Sequence, residues 1–528
     1  MGQAYEARTE TERKMAFGAL ESAASRFESL RGKMTSDELL GKRASAVEEL
    51  IESEGREVLR LLLQGHLDWR TAADVCEPVR NAAGQSLGTC RPGTGRGLST
   101  GLGRVTVERP SFESRGLGSL RPHDADLNLP SDAYSFPLRR RAVTAAIDAS
   151  YDRSVAQIED HFGVDLAKRQ VEALVRRSAV DFEAFYAETP LPAPPEHTPE
   201  LLVITLDQKG IVMRQDGLRE ATRQAAQANS HKLATRLSKG EKRNRKRMAS
   251  VAAVYLIAPH VRSADEVVSG LRSVRAVPPE HDKKKRPKPH AKRVWASLQR
   301  SLEGVVDQAF DEAMLRDPNR TKRWVVLVDG DRKQLRYIRK AAKKRGVEPT
   351  ILADFIHVLE YLWSASRAFH SDGTTEGEAW VLERLTRVLN GEAGLVAGAI
   401  GRSATKRRLT KKQRSPVDRC IRYLKNLKPC LRYDQALADG LPIATGVIEG
   451  ACRHLIADRF DITGARWSLP GAEALLKLRA LRTSGDLDTY WAFHEDREFT
   501  RNHASHYANA KPPRLEHRRR RTHLEVIK

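Results

Sequence analysis

The sequence predicts an α/β protein with a mainly helical N-terminal part, on three observations. The stretch LLVITLDQKG, Leu201 to Gly210, runs six mostly apolar residues straight into a carboxylate, Asp207. WVVLVDGD, Trp324 to Asp331, repeats the arrangement, with a β-branched run that ends on Asp329. Both runs are short and lack helical spacing, so each reads as a buried central strand with an acid at its end. Ahead of them, apolar residues recur at helical steps within residues 1–75 and 136–186. Two carboxylates carried to the ends of neighbouring strands make one candidate site, and Gly330 lets the chain turn directly behind the second.

A chain of 528 residues is too long for one typical core and suggests roughly three or four domains. Lys and Arg number 91 against 68 Asp and Glu, a net charge of +23 with a pI near 9.9. Such an excess calls for a polyanionic partner, nucleic acid or an acidic membrane surface. The membrane is excluded by the lack of any apolar stretch of about 18 residues or a signal-peptide pattern. A cytoplasmic, nucleoid-associated protein is expected. Five cysteines without a C-x-x-C pair signal neither a disulfide framework nor a zinc site.

In chain order, residues 1–130 read as a helical region with a small β-ribbon. Val47, Leu50, Ile51, Val58, Leu61 and Leu62 form one helical face, which suits either an intramolecular hairpin or a dimerisation helix. Glycines at 84, 88, 93, 95, 97, 101 and 103 precede the alternating GRVTVERPSF, the ribbon. Without a G-x-x-x-x-G-K-[ST] pattern, the glycines do not signal nucleotide binding. Residues 131–188 then allow three helices, Leu138–Ala149, Ser154–Phe162 and Leu166 to about Phe185, with Gly163 as the turn and Asp165 as a cap. That is a helix-turn-helix pattern, and Lys168, Arg169 and Arg176 on its third helix offer cations for phosphates and forked donors for guanine edges. Short amphipathic helix pairs without DNA contact give the same pattern.

Thr189 to Glu200, with five prolines, is the clearest domain boundary. The core that follows, residues 201–369, carries the strands, and basic loops alternate with them. One loop is KGEKRNRKR, in which Lys242, Arg243, Arg245 and Lys246 are candidate phosphate contacts; another is KKKRPKPHAKR, Lys283 to Arg293. A basic helix, Arg332 to Lys344, leads to the strand Thr350–Ala353 and then to Asp354 and His357, three residues apart, with Asp354 able to cap a helix. Residues 370–440 read as a charged helical insertion. Residues 441–485 return to the core and bring Glu449 on a predicted helix, between Gly446 and Gly450, whose small size permits close approach to the sheet. A plain ion pair with Arg453 is the competing use of Glu449. Residues 486–528 read as a basic tail.

Strand-borne Asp207, strand-borne Asp329, the D-x-x-H of Asp354 and His357, a helical insertion and helix-borne Glu449 resemble a DDE transposase. The closest likeness is to bacterial insertion-sequence transposases of the Mutator-like branch, over residues 200–485, including the T-G-x-x-E-G and T-G-A-R-W stretches. The resemblance implies an RNase H-like mixed sheet flanked by helices. It further implies that Asp207, Asp329 and Glu449 bind two Mg²⁺ (or Mn²⁺) ions, with Asp331 the alternative to Asp329, and that the chain cleaves DNA at element ends and joins them to target DNA, as a homo-oligomer in the DNA complex. A structure-selective nuclease with the same metal core, or a non-catalytic DNA-binding derivative, remain the alternatives. Oxygen-only ligands suit Mg²⁺, and three acids crowded together repel one another until a cation or a proton joins them.

Overall fold

The chain divides into two units, residues 1–185 with 488–528, and residues 186–487. A computed structural model describes residues 2–91, 93, 95–189, 201–228, 245–272, 286–462 and 464–517, with backbone alone for 2–17.

In the first unit, α1 (Gly2–Met34) and α2 (Ala44–Thr71) pack along one another, so a hairpin forms within the chain. Its apolar face is only partly covered, since Ile51, Leu59 and Leu62 stay exposed. The glycine-rich stretch forms β1 (Thr89–Arg91), β2 (Arg96–Thr100), β3 (Gly103–Val107) and β4 (Ser111–Glu113). Strands β2 and β3 make a hairpin with Leu98 opposite Val105, while β1 pairs with β4. Leu67 of α2 closes on Leu98, Val105, Val107 and Leu129 as a small core. Gln64 clamps the hairpin by donating to the Thr106 carbonyl at 2.7 Å and accepting from its N–H at 2.8 Å.

Helices α3 (Phe136–Asp148), α4 (Tyr151–Phe162) and α5 (Lys168–Arg177) follow, and Gly163 ends α4 in the left-handed region at φ +61°. Two details differ from the sequence expectation. The residue that caps α5 is Ala167, not Asp165; the Gln170 side chain reaches back to accept the Ala167 N–H at 2.9 Å. The helix also stops at Arg177 rather than near Phe185, because the Ser178 carbonyl accepts from Tyr490 Oη at 2.7 Å in place of a further turn.

The second unit is built on a five-stranded mixed sheet. β5 (Leu201–Val212), β6 (Lys246–Ile257) and β7 (His290–Ser297) run antiparallel in sequence. α6 (Leu302–Arg316) returns the chain to β8 (Arg323–Val328), parallel to β5, and α7 (Arg332–Arg345) leads to β9 (Thr350–Ala353), parallel to β8. The order across the sheet is β9-β8-β5-β6-β7. Leu202, Val203, Ile204, Val325 and Val326 are fully buried, each stabilising the sheet by roughly 1.5–3 kcal/mol.

Beyond β9, α8 (Phe355–Ser366) precedes three helices of the expected insertion, α9 (Thr375–Leu389), α10 (Ala393–Lys406) and α11 (Lys411–Asn426). α12 (Gly446–Ala451) then runs into a π-helical stretch, Cys452–Ala457. Trp467 of the T-G-A-R-W stretch docks at the end of β5, where its N–H donates to the Val212 carbonyl and its carbonyl accepts from Arg214 N–H at 2.8 Å. α13 (Leu469–Ser484) blocks the edge strand β7: Ser484 bonds both backbone groups of Val294, and Glu473 accepts from Ser297 Oγ and Leu298 N–H.

Of the segment expected as a basic tail, residues 486–517 are described, and they are structured. From Asp488 it belongs to the first unit, beginning with α14 (Leu487–Asn502). His494 Nδ1 meets Asp181 at 2.7 Å, Glu498 accepts from the fully buried Arg139 at 3.2 Å, and Leu515–Glu516 pairs with Asp74–Val75. Among the described residues no helix is long and apolar enough to cross a membrane.

Candidate catalytic site

Three acids line up across the parallel part of the sheet because of its register. On β5 and β8 the last registered pair is Thr205 with Leu327, so Asp207 and Asp329 stand at the matching position two residues on. On β8 and β9 it is Val328 with Ala353, so Asp354 follows at the level of Asp329. Asp207 does not end its strand, as the sequence suggests: β5 continues to Val212 because β6 pairs with it all the way, Asp207 lying opposite Val251. The apolar run stops at Asp207 because the parallel neighbour stops there.

Each acid is held differently. Asp207 accepts from its own neighbour, Gln208 N–H, at 2.6 Å and from Cys452 Sγ at 3.0 Å. Asp329 accepts the Asp331 N–H at 3.0 Å, its carbonyl takes Tyr423 Oη at 3.0 Å, and Gly330 behind it adopts φ +98° against Leu427. Asp331 is exposed and caps α7, accepting from Lys333 N–H and Gln334 N–H at 2.8 and 2.9 Å. The cap favours Asp329 over Asp331 as the second member of the site, since Asp331 already serves the helix end. Asp354 is fully buried; it caps α8 through Ile356 N–H at 3.0 Å and also accepts from Thr445 Oγ1.

Glu449 is exposed on α12, and Arg453, the partner expected for it, lies 3.9 Å from Asp458 instead. Partial burial of its carboxyl raises Glu449, and the charge of Asp354 adds to the rise. The expectation that Gly446 and Gly450 let this helix close on the sheet does not hold. A methyl group at either position would meet nothing within 4 Å, and the helix is seated instead by Ile448, Ala451, Leu455 and Ile456. The π-helical stretch that follows presents Cys452 to Asp207; such bulges often occur at functional sites.

Electrostatics mark the cluster as short of positive charge. Burial raises the Asp329 carboxyl, and the charges of Asp207 and Asp331 add to the rise against His357. Across α8's first turn, His357 Nδ1 lies 3.4 Å from Asp354 Oδ2, an ion pair without hydrogen-bond alignment. The Asp354 carboxylate raises His357 to about 9 against the opposing effect of burial. A histidine raised from its ordinary 6.5 stabilises the fold fully below that value and loses the contribution as pH climbs through about 9. His357→Gln is therefore expected to flatten the fall in stability between pH 6.5 and 9, as read by urea unfolding in EDTA. An unchanged pH dependence would remove the pair from the account.

The acids of the cluster offer oxygens, the kind a hard divalent ion prefers, and burial raises the carboxyls of Asp329 and Glu449, with the charges of neighbouring acids adding to the rise. Asp207 and Asp329 thus suit such an ion. Among the described residues no group of three or more His, Cys, Asp and Glu side chains is arranged to hold a metal. Thr445, Cys452 and Tyr423 were not expected here. Thr445 opens the T-G-x-x-E-G stretch and was legible in principle, whereas nothing in the sequence ties Tyr423 to a residue 94 positions away.

The candidate DNA contacts fall in two groups. On α5, Lys168, Arg169 and Arg176 are exposed while Val171, Leu174 and Val175 are buried; Lys168 pairs with Asp152 at 2.7 Å. In the second unit, Lys246 is exposed, but Arg245 is buried and its carbonyl is bound to Met213 N–H, so the exposed-loop role expected for it fails. Lys242 and Arg243 lie outside the described residues, as do most of the proline-rich boundary and Lys283–Lys285. Arg293, at the end of that second basic run, is structural, stacked 3.5 Å from the Tyr186 ring and paired with Glu312. No protein-family model matches the chain and no curated protein matches it, so what this cluster can do has to be argued from its own residues.

Proposed function

We propose that the chain is a DNA transposase, cutting the ends of a mobile element and joining them to target DNA. The observation that carries the reading is the row of Asp207, Asp329 and Asp354 at one level of three adjacent parallel strands, with helix-borne Glu449 close enough to be raised by the charge of its last member. A mixed sheet of antiparallel meander and two parallel strands, interrupted by a helical insertion before the last acid, suits an RNase H-like core. The net charge of +23 suits a DNA partner.

In this reading Asp207, Asp329 and Glu449 would hold two Mg²⁺ or Mn²⁺ ions, whose chemistry when bound would be to activate the attacking oxygen and steady the leaving oxygen in phosphoryl transfer. His357, raised by Asp354, offsets part of the negative charge of Asp329 and Glu449. Cys452 donates to one Asp207 oxygen and fixes the direction of the other. Exposed Arg169 is free to reach a base edge while Lys168 and Arg176 track phosphates. The active assembly is a homo-oligomer on DNA.

The test is an assay of the full chain with Mg²⁺ on duplexes carrying the sequences that flank its gene, reading strand cleavage and joining separately. Joined products support the transposase; cleavage without joining indicates a structure-selective nuclease, and binding alone a non-catalytic derivative. In the same system Arg169→Ala is expected to reduce the preference for the specific over a scrambled duplex by about 1–3 kcal/mol. Arg176→Ala should weaken both alike and flatten the salt dependence. Equal loss on both duplexes with Arg169→Ala would move recognition off α5.

A further inference from the structure

A cavity of about 520 Å³ lies wholly within the first unit, lined by residues 119–131, by Arg96 and Arg109, and by the segment 502–507. Its lining brings three guanidinium groups, Arg96, Arg109 and Arg121, and the imidazoles of His503 and His506 against one carboxylate, Asp124. That carboxylate is already engaged, its Oδ1 accepting from Arg109 Nε at 2.5 Å. Arg109 and His503 are more than nine-tenths buried, at 9% and 8% exposure, so these are not solvated surface charges. Arg96 is braced through Nη2 on the carbonyls of Pro130 and Asp132. The Arg121 side chain makes no hydrogen bond or ion pair among the described residues; only its carbonyl is used, accepting from Asp124 N–H at 3.0 Å. His503 is oriented by the Leu129 carbonyl at Nε2, 2.8 Å away, which leaves Nδ1 for another partner.

Positive charge gathered in a partly buried cavity repels itself. Burial lowers Arg96, with Arg109 and Arg121 adding to the effect against Asp124 and Asp132. Burial likewise lowers His503, with His506 and Arg96 adding to it against the Leu129 carbonyl and Asp124. An anion relieves both. Several guanidinium forks and an imidazole converging on one space match a tetrahedral oxyanion, which takes two donors per fork. The volume falls in the range of small-molecule sites, and Leu120, Leu129 and Tyr507 add apolar wall beside the charges.

We propose that this cavity binds the phosphate of a single nucleotide, with Arg96, Arg121 and His503 as donors to its oxygens and the apolar wall beside its base. The site is separate from the acidic row and does not depend on its reading. The phosphate comes from a free mononucleotide or from the end of a DNA strand.

The test is equilibrium binding of fluorescent dAMP to the full chain, with Arg121→Gln as the variant. Arg121 holds no structural partner, so its loss leaves the fold intact; Arg115→Gln, an exposed arginine outside the cavity, gives the same charge change as a control. Saturable binding that weakens about tenfold or more in Arg121→Gln and stays level in Arg115→Gln is the expected result. Inorganic phosphate should compete more weakly than unlabelled dAMP. Competition by a 5′-phosphorylated oligonucleotide, but not by its 5′-hydroxyl twin, assigns the site to strand ends; competition by dAMP alone assigns it to free nucleotide. No saturable binding, or equal loss in the two variants, overturns the proposal.

Discussion

Asp207→Asn and Asp329→Asn are each expected to lower Mg²⁺-dependent strand cleavage about a thousandfold, equivalent to roughly 4 kcal/mol of transition-state stabilisation. Asparagine keeps the shape of aspartate and can still accept from Cys452 Sγ or the Asp331 N–H, so the local fold should survive. What disappears is the negative charge that a divalent ion requires. DNA binding, measured apart from cleavage on the same duplex, should be unchanged. Asp331→Asn is the comparison: asparagine caps a helix as well as aspartate does, so both stability and cleavage should stay near wild type. Undiminished cleavage by Asp207→Asn would sink the assignment, and loss in Asp331→Asn with none in Asp329→Asn would move the second ligand by two residues.

The strands were readable because they are buried on both faces and therefore apolar without interruption. The same signal misjudged where β5 ends, since composition changes at Asp207 while hydrogen bonding to β6 continues to Val212. Glu449 was singled out by its place after the insertion, but the reason given for the approach of its helix was wrong: Gly446 and Gly450 face open space, and packing of Ile448 and Leu455 seats the helix. Asp354 was read as a cap and is one, yet the register of β9 also sets it level with Asp329, which no local pattern encodes. Charge density was the poorest guide. Arg245 and Arg293, both in basic runs, are a buried residue and a stacked ion-pair partner, because a guanidinium can serve packing as readily as phosphate binding.

The largest effect on stability is expected at Glu498, in a segment whose sequence reads only as a basic tail. Arg139 on α3 is fully buried, with Asp132 at 3.1 Å and Glu498 at 3.2 Å as its acids, and its Nε has no partner. Removing Glu498 leaves a buried guanidinium short of charge and of a hydrogen bond, which typically costs about 3–5 kcal/mol. Beside this pair, Asp181 accepts from His494 and Arg501 of α14, so the helix is tied to the first unit at several buried points. Glu498→Ala should therefore lower the urea midpoint of that unit strongly, whereas Asp496→Ala, exposed on the same helix, should stay within about 0.5 kcal/mol of wild type. A fragment of residues 1–195 lacks α14 altogether and leaves Arg139, Asp181 and the Ser178 carbonyl without these partners. It is expected to be unfolded or aggregated by circular dichroism, although it contains α3, α4 and α5 complete. If the fragment folds cooperatively, or Glu498→Ala is as stable as Asp496→Ala, α14 is an accessory to the first unit and not part of its core.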